Sequence, residues 1–157
     1  MVVPGHVIEN MWFQIHVSQM LDAGAPRVPQ ACAMVLRHLE LGWDRAHQGL
    51  LLAVDPQGGL SGGWKFPDTK LWWPHTESLY ATLLAWKETG DARFLDWYER
   101  LWAFCLDNYV EWRHGEWRQK LNRDLSALTD TVVLPVKDPF HLPRSLILQI
   151  ELLARKS

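Results

Sequence analysis

Apolar and polar positions alternate along this chain with a helical period in five places. Ile8, Met11, Trp12 and Ile15 fall on one face, which predicts a helix from Val7 to about Leu21. Asp22-Ala23-Gly24-Ala25-Pro26 carries the residues that break helices. A second helix is predicted from Val28 to about Ala46, with Ala31, Met34, Val35, Leu39 and Trp43 near one stripe. The segment from Gly49 to Pro67 differs. An apolar run, Leu50 to Val54, meets a turn at Asp55-Pro56-Gln57-Gly58-Gly59, and Gly63-Trp64-Lys65-Phe66 follows, as in a β-hairpin or extended loop. A third helix is predicted to open near Pro74, because a proline in the first turn gives up an N–H that has no partner there. It runs to about Thr89 and stops at Gly90-Asp91. A fourth runs from about Ala92 to Tyr109. Gly115-Glu116-Trp117-Arg118 and the stretch to Val136 look like loop with short strands, and a fifth helix runs from near Pro143 to about Leu153.

Helix pairs joined by long, partly extended loops leave too few strands for a parallel α/β sheet. The pattern predicts an all-α, α/α arrangement. A length of 157 residues suits one domain, and 48% hydrophobic residues can fill a sizeable core. The formal net charge of -2, with 22% charged residues, gives no basic footprint for nucleic acid and no compositional signature of disorder. No apolar run is long enough to span a membrane, and the first residues lack the pattern of a signal peptide. Cys32 and Cys105 each lie in an apolar helical pattern without a metal-ligand spacing, which reads as a reduced, cytoplasmic protein. Ten tryptophans are many for this length; their rings serve sugar sites and ordinary cores alike.

Three segments place a histidine at or just before a predicted helix start. They are Pro4-Gly5-His6-Val7-Ile8-Glu9, Lys70-Leu71-Trp72-Trp73-Pro74-His75-Thr76-Glu77, and Asp138-Pro139-Phe140-His141-Leu142-Pro143-Arg144. His16, His38, His47 and His114 have no partner at metal-ligand spacing. HExxH, a Gly-rich phosphate loop and GxSxG are all missing, so a metal enzyme, an NTPase and a serine hydrolase lack support.

Taken in order, with Gly115-Glu116-Trp117 between the second and third, these segments resemble the signature segments of the N-acylglucosamine 2-epimerase family. The resemblance follows the family's C-terminal half and covers nearly the whole chain. It implies an (α/α)6 barrel, two concentric rings of helices around a pocket, of which this chain would form one portion. It also implies that an N-terminal half is missing, and with it an arginine and other polar residues of the pocket. His6 and His141 stand where the family has its acid/base pair. Epimerising a sugar at C2 moves a proton from one face of the carbon to the other, which calls for two groups, and imidazole titrates near working pH. By the same resemblance Trp72, Trp73, His75 and Glu77 line the pocket, with Glu77 expected in the first turn of its helix. A packed hairpin-to-helix junction is the competing reading of that segment.

Glu9 and Arg144 each follow a histidine by three residues, on the same helical face. Both are expected to bind substrate. Their charges predict that Glu9 favours protonated His6 and Arg144 disfavours protonated His141, making His141 the readier base. Arg144 facing solvent or pairing with another carboxylate is the alternative. Lys70 could bind a hydroxyl or a carboxylate, and a solvated lysine is the reading preferred over that. Val136 stands where cellobiose-type members carry tryptophan, which points to a monosaccharide. The expected function is a sugar 2-epimerase or aldose–ketose isomerase with no metal or cofactor and a small sugar as partner. A homodimer fits too, and a truncated, inactive fragment or interaction module is the rival reading.

Overall fold

A computed structural model describes residues 1–21, 27–132 and 134–154. The helix break expected at residues 22–26 lies outside them. Five helices form among the described residues: α1 (Pro4–Met20), α2 (Arg27–Gly42), α3 (Trp72–Thr89), α4 (Ala92–Asn108) and α5 (His141–Ala154). Pro74 and Pro143 are each the third residue of their helix rather than its opening. This is permitted, because the first four N–H groups of a helix have no partner inside it.

α3 is the centre. Every residue from Trp72 to Ala85 is buried, and the helix packs against α1, α2, α4 and α5. The others bury one stripe each: Ile8, Trp12 and Ile15 on α1, Val35 and Leu39 on α2, Phe94, Leu101 and Phe104 on α4. α5 sets Ser145, Gln149 and Leu152 against α3, while Ile147, Ile150 and Leu153 stay exposed on its far side. Gly90 ends α3 in the left-handed region, and Asp91 then caps α4 by accepting the Arg93 N–H at 3.0 Å. No helix among the described residues is long and apolar enough to cross a membrane.

The strands are short. β1 (Lys70–Leu71) pairs antiparallel with β4 (Lys120–Leu121), and β2 (Val110–Glu111) with β3 (Glu116–Trp117). The segment from Gly49 to Pro67 is an extended loop held by single bridges, Val2 to Val54 and Val54 to Leu60, rather than a regular hairpin. Its apolar run, Leu50 to Val54, is buried. α2 stops at Gly42, short of the expected Ala46, because Trp43 bridges to Leu50 and Asp44 turns into an ion cluster.

Gly49 closes that corner. Its φ is +73°, and a Cβ there would lie 2.4 Å from the Phe104 Cζ. Gly49→Ala is expected to cost about 2 kcal/mol through backbone strain and overpacking. Thermal unfolding would show this as a fall in Tm of about 4–8 °C.

Candidate active site

The N-terminal ends of α1, α3 and α5 meet at one end of the chain, where the loops and β4 wall a cleft of about 230 Å³. His6, Trp72, Trp73 and His141 all line it. Trp73 joins the two histidines. Its ring lies 4.6 Å from the His6 ring in a stack and 5.4 Å from that of His141. Gly5 makes this fit possible, since a Cβ there would meet Trp73 and Pro74 at 2.8 Å.

Behind His141 lies a charged cluster. Glu77 is fully buried, yet each of its oxygens is occupied. Oε1 accepts from His141 Nδ1 and from Arg144, both at 2.6 Å, and Oε2 accepts the Trp12 indole N–H at 2.8 Å. Arg144 also donates to Glu9 at 2.8 Å and lies over the Phe140 ring, 3.9 Å from its centroid. A buried carboxylate needs such partners, because desolvation would otherwise expel it. With Nδ1 committed to Glu77, Nε2 is the His141 nitrogen left for chemistry in the cleft.

This geometry reverses the expected order at His141. Burial disfavours its charged form, but the hydrogen bond and charge of Glu77, with the charges of Asp138 and Glu9, outweigh that and raise its pKa above the ordinary 6.5. Spacing along the chain pairs the Arg144 charge with His141 and the Glu9 charge with His6. In the fold those two side chains bond each other instead, so the positive charge is neutralised and the net field at His141 is negative. Glu77 is the sixth residue of α3, beyond the first turn, and it faces α1 and α5 rather than the helix end. Glu9, Glu77 and His141 place ligand atoms within 4.8 Å of one another, as a metal site does. The guanidinium of Arg144, bonded to both carboxylates, already supplies the counter-charge there.

Glu9, Glu77 and Arg144 therefore support the cleft instead of lining it. His75 is not brought to it at all. It is fully buried, with Nε2 accepting the Leu50 N–H at 2.8 Å and Nδ1 2.7 Å from the Leu71 carbonyl. A backbone N–H can only donate, so Nδ1 carries the proton, and burial pushes the pKa down to about 3. The ring is a neutral clamp between the loop and β1. Lys70, read as solvated, is fully buried as well. It lies 3.2 Å from Asp44, which Arg123 also holds at 2.9 Å, and it donates to the Arg123 carbonyl at 2.7 Å. Burial lowers the Lys70 pKa. For Asp44 the donors Arg123 and Lys70 outweigh burial and hold the carboxyl well below its usual range. This cluster pins the β4 wall to the end of α2.

Sequence reasoning missed Trp12, Trp64, Gln119, Lys120 and Asp138. Trp12 shares a stripe with Ile8 and Ile15 and reads as core. Trp64, Gln119, Lys120 and Asp138 reach the cleft from loops and β4, for which periodicity carries no signal. A larger, more open cleft of about 720 Å³ lies between α2 and α4, walled by Trp43, Trp97 and Arg100. It contains neither of the paired histidines.

The family profile described as N-acylglucosamine 2-epimerase matches residues 1–144. The N-acylglucosamine 2-epimerase of Bos taurus is 31% identical over 150 residues, 96% of this chain and 35% of that protein. A crystal structure of D-mannose isomerase superposes with a TM-score of 0.83 at 21% identity, over 96% of this chain and 37% of its own. The cellobiose 2-epimerase of Bacillus thermoamylovorans superposes with 0.75 at 22% identity, over 95% and 37%. These structures are (α/α)6 barrels, and the five helices are part of such a barrel. The chain spans about a third of the length of the curated relatives it matches. It belongs to the N-acylglucosamine 2-epimerase family, as its C-terminal part.

Proposed function

We propose that this chain carries the acid/base half of a carbohydrate 2-epimerase or aldose–ketose isomerase site. Its substrate is a monosaccharide of the N-acylglucosamine or mannose type. The observation that carries the reading is the placement of His6 and His141 on one cleft, with the Trp73 ring beside both. Epimerisation at C2 needs two groups on opposite faces of the carbon. Histidine serves each role near neutral pH.

The open-chain aldehyde enters with C2 between the two rings. One imidazole takes the C2 proton, the electron pair forms an enediol(ate), and the other imidazole returns a proton to the opposite face. Delivery to C1 instead gives the ketose. Glu77 favours the charged form of His141, which suits His141 to the role of acid and leaves His6 that of base. Trp72 and Trp73 offer apolar faces to the sugar C–H groups.

A specific observation favours a second reading, in which the chain alone is an inactive part of a larger ring. Ile147, Ile150 and Leu153 on α5 are all more than half exposed, as are Met20 and Leu21 at the end of α1. Apolar faces of this kind mark surfaces that pack against something else.

A sugar panel separates the two. Mannose, glucose, N-acetylmannosamine and N-acetylglucosamine are each incubated with the chain, with and without a polypeptide supplying the remaining helices, and products are followed by NMR. Interconversion within one epimer pair, or to the ketose, is expected. Conversion only after the second polypeptide is added supports the inactive-part reading. No conversion of any sugar under either condition would sink the functional reading.

A further inference from the structure

Asp138 is a carboxylate with one oxygen to spare. Its Oδ1 accepts the N–H groups of Phe140 and His141, each at 2.9 Å, which fixes the side chain and caps the start of α5. A cap needs only that oxygen. Oδ2 has no hydrogen-bond donor among the described residues and lies 3.9 Å from His141 Nε2, the nitrogen that Glu77 leaves free. Asp138 and His141 line the same cleft. Burial opposes the charge on Asp138, but the two N–H groups and the charge of His141 hold its carboxyl below the usual range. Oδ2 is therefore an acceptor beside the His141 nitrogen that faces the cleft, so that two neighbouring sugar oxygens can face one each.

We propose that Asp138 is a further catalytic residue: its Oδ2 takes the proton from the substrate O2 hydroxyl and passes it to His141, which equips the cleft for aldose–ketose isomerisation. This rests on the reading of His6 and His141 given above. The protons balance. His6 takes the C2 proton, the C2–H electron pair forms C1=C2, and imidazolium His141 protonates O1, giving the neutral enediol. His6 then returns its proton to C1, the O2–H pair forms C2=O, and Asp138 accepts the O2 proton. Oδ2 and Nε2, 3.9 Å apart in this structure, close to hydrogen-bond distance by a turn of the Asp138 carboxyl, and the proton then passes to Nε2, which restores the imidazolium and leaves Asp138 ionised. Epimerisation leaves the O2 proton in place, so it needs no such acceptor. The groups around His141 are Glu77, Glu9 and Arg144 on its Nδ1 side and Asp138 on its Nε2 side, with His6 and Lys120 elsewhere on the cleft.

Asp138→Asn tests this, because asparagine keeps the capping oxygen and replaces Oδ2 with a group that accepts no proton. The intact chain and the variant are given mannose in D2O, and two quantities are read by NMR: ketose formed and deuterium gained at C2. The ratio of ketose to C2 exchange is expected to fall about 100-fold in the variant, the contribution of a positioned proton carrier. Asp138→Ser, which keeps a capping hydroxyl and lacks the second oxygen, must give the same fall. An unchanged ratio in both variants overturns the proposal while leaving the histidine pair intact. So does a parent chain that exchanges C2 without forming ketose. A parent chain with no C2 exchange, both alone and with a polypeptide supplying the remaining helices, overturns the histidine reading and this proposal together.

Discussion

Glu77→Ala is expected to remove about 3–5 kcal/mol of stability, the largest loss of any single truncation at the site. The carboxylate sits at the junction of α1, α3 and α5, where it accepts from Trp12, His141 and Arg144. Its removal leaves the indole N–H without an acceptor and the guanidinium with Glu9 alone. The loss has a pH signature. The folded pKa of His141 lies above its unfolded value of about 6.5. The stability it contributes is therefore fully present below pH 6.5 and is lost as pH rises through the folded value. The gap between parent and variant is expected to be widest at acid pH and to narrow above neutrality, though not to vanish, because the Trp12 and Arg144 bonds persist. Thermal unfolding of both proteins between about pH 5 and 9 reads this directly. A gap that stays constant across that range would mean His141 takes no charge from Glu77. The imidazole titration of His141 by NMR should also move down in the variant.

Replacing either histidine is expected to lower C2 exchange by roughly 10²–10⁴-fold. His6→Gln leaves the packing nearly untouched, because the His6 ring is exposed and only stacks on Trp73. His141→Gln keeps a donor near Glu77 but removes the proton carrier. If each histidine serves one face of C2, the two variants should differ in which epimer loses exchange more. Equal, small losses from both epimers in both variants would argue against a divided pair. Circular dichroism of each variant guards against a trivial loss through unfolding.

Periodicity located all five helices, because each depends on residues three and four apart. It misplaced the opening of α1 by three residues, at Val7 instead of Pro4, and those of α3 and α5 by two, at Pro74 and Pro143, where a proline fits several positions of a first turn. What it could not reach is what the fold brings together from afar. Glu77 meets His141 across 64 residues, Arg144 meets Glu9 across 135, and Asp44 meets Arg123 across 79. A reading of neighbours three positions away assigned Glu9 to His6 and Arg144 to His141. The long-range bond between Glu9 and Arg144 cancels both assignments and reverses the predicted charge at His141. Lys70 was misread for the same reason, since nothing in its own segment announces Asp44. His75 stands in the recognised segment but on the core side of α3, where Leu50 and Leu71 take both of its nitrogens. The resemblance to a family supplied the histidine pair, and the fold supplied which nitrogen, which support and which charge.

The most direct measurement is deuterium at C2. The intact chain is incubated with mannose or N-acetylmannosamine in D2O, and the C2 proton signal is followed against a heat-denatured control. The account predicts loss of that signal with deuterium at C2, either from the chain alone or once a polypeptide completes the ring, and its suppression in His6→Gln and His141→Gln. A C2 proton retained under both conditions, or exchange that survives both substitutions, would contradict it.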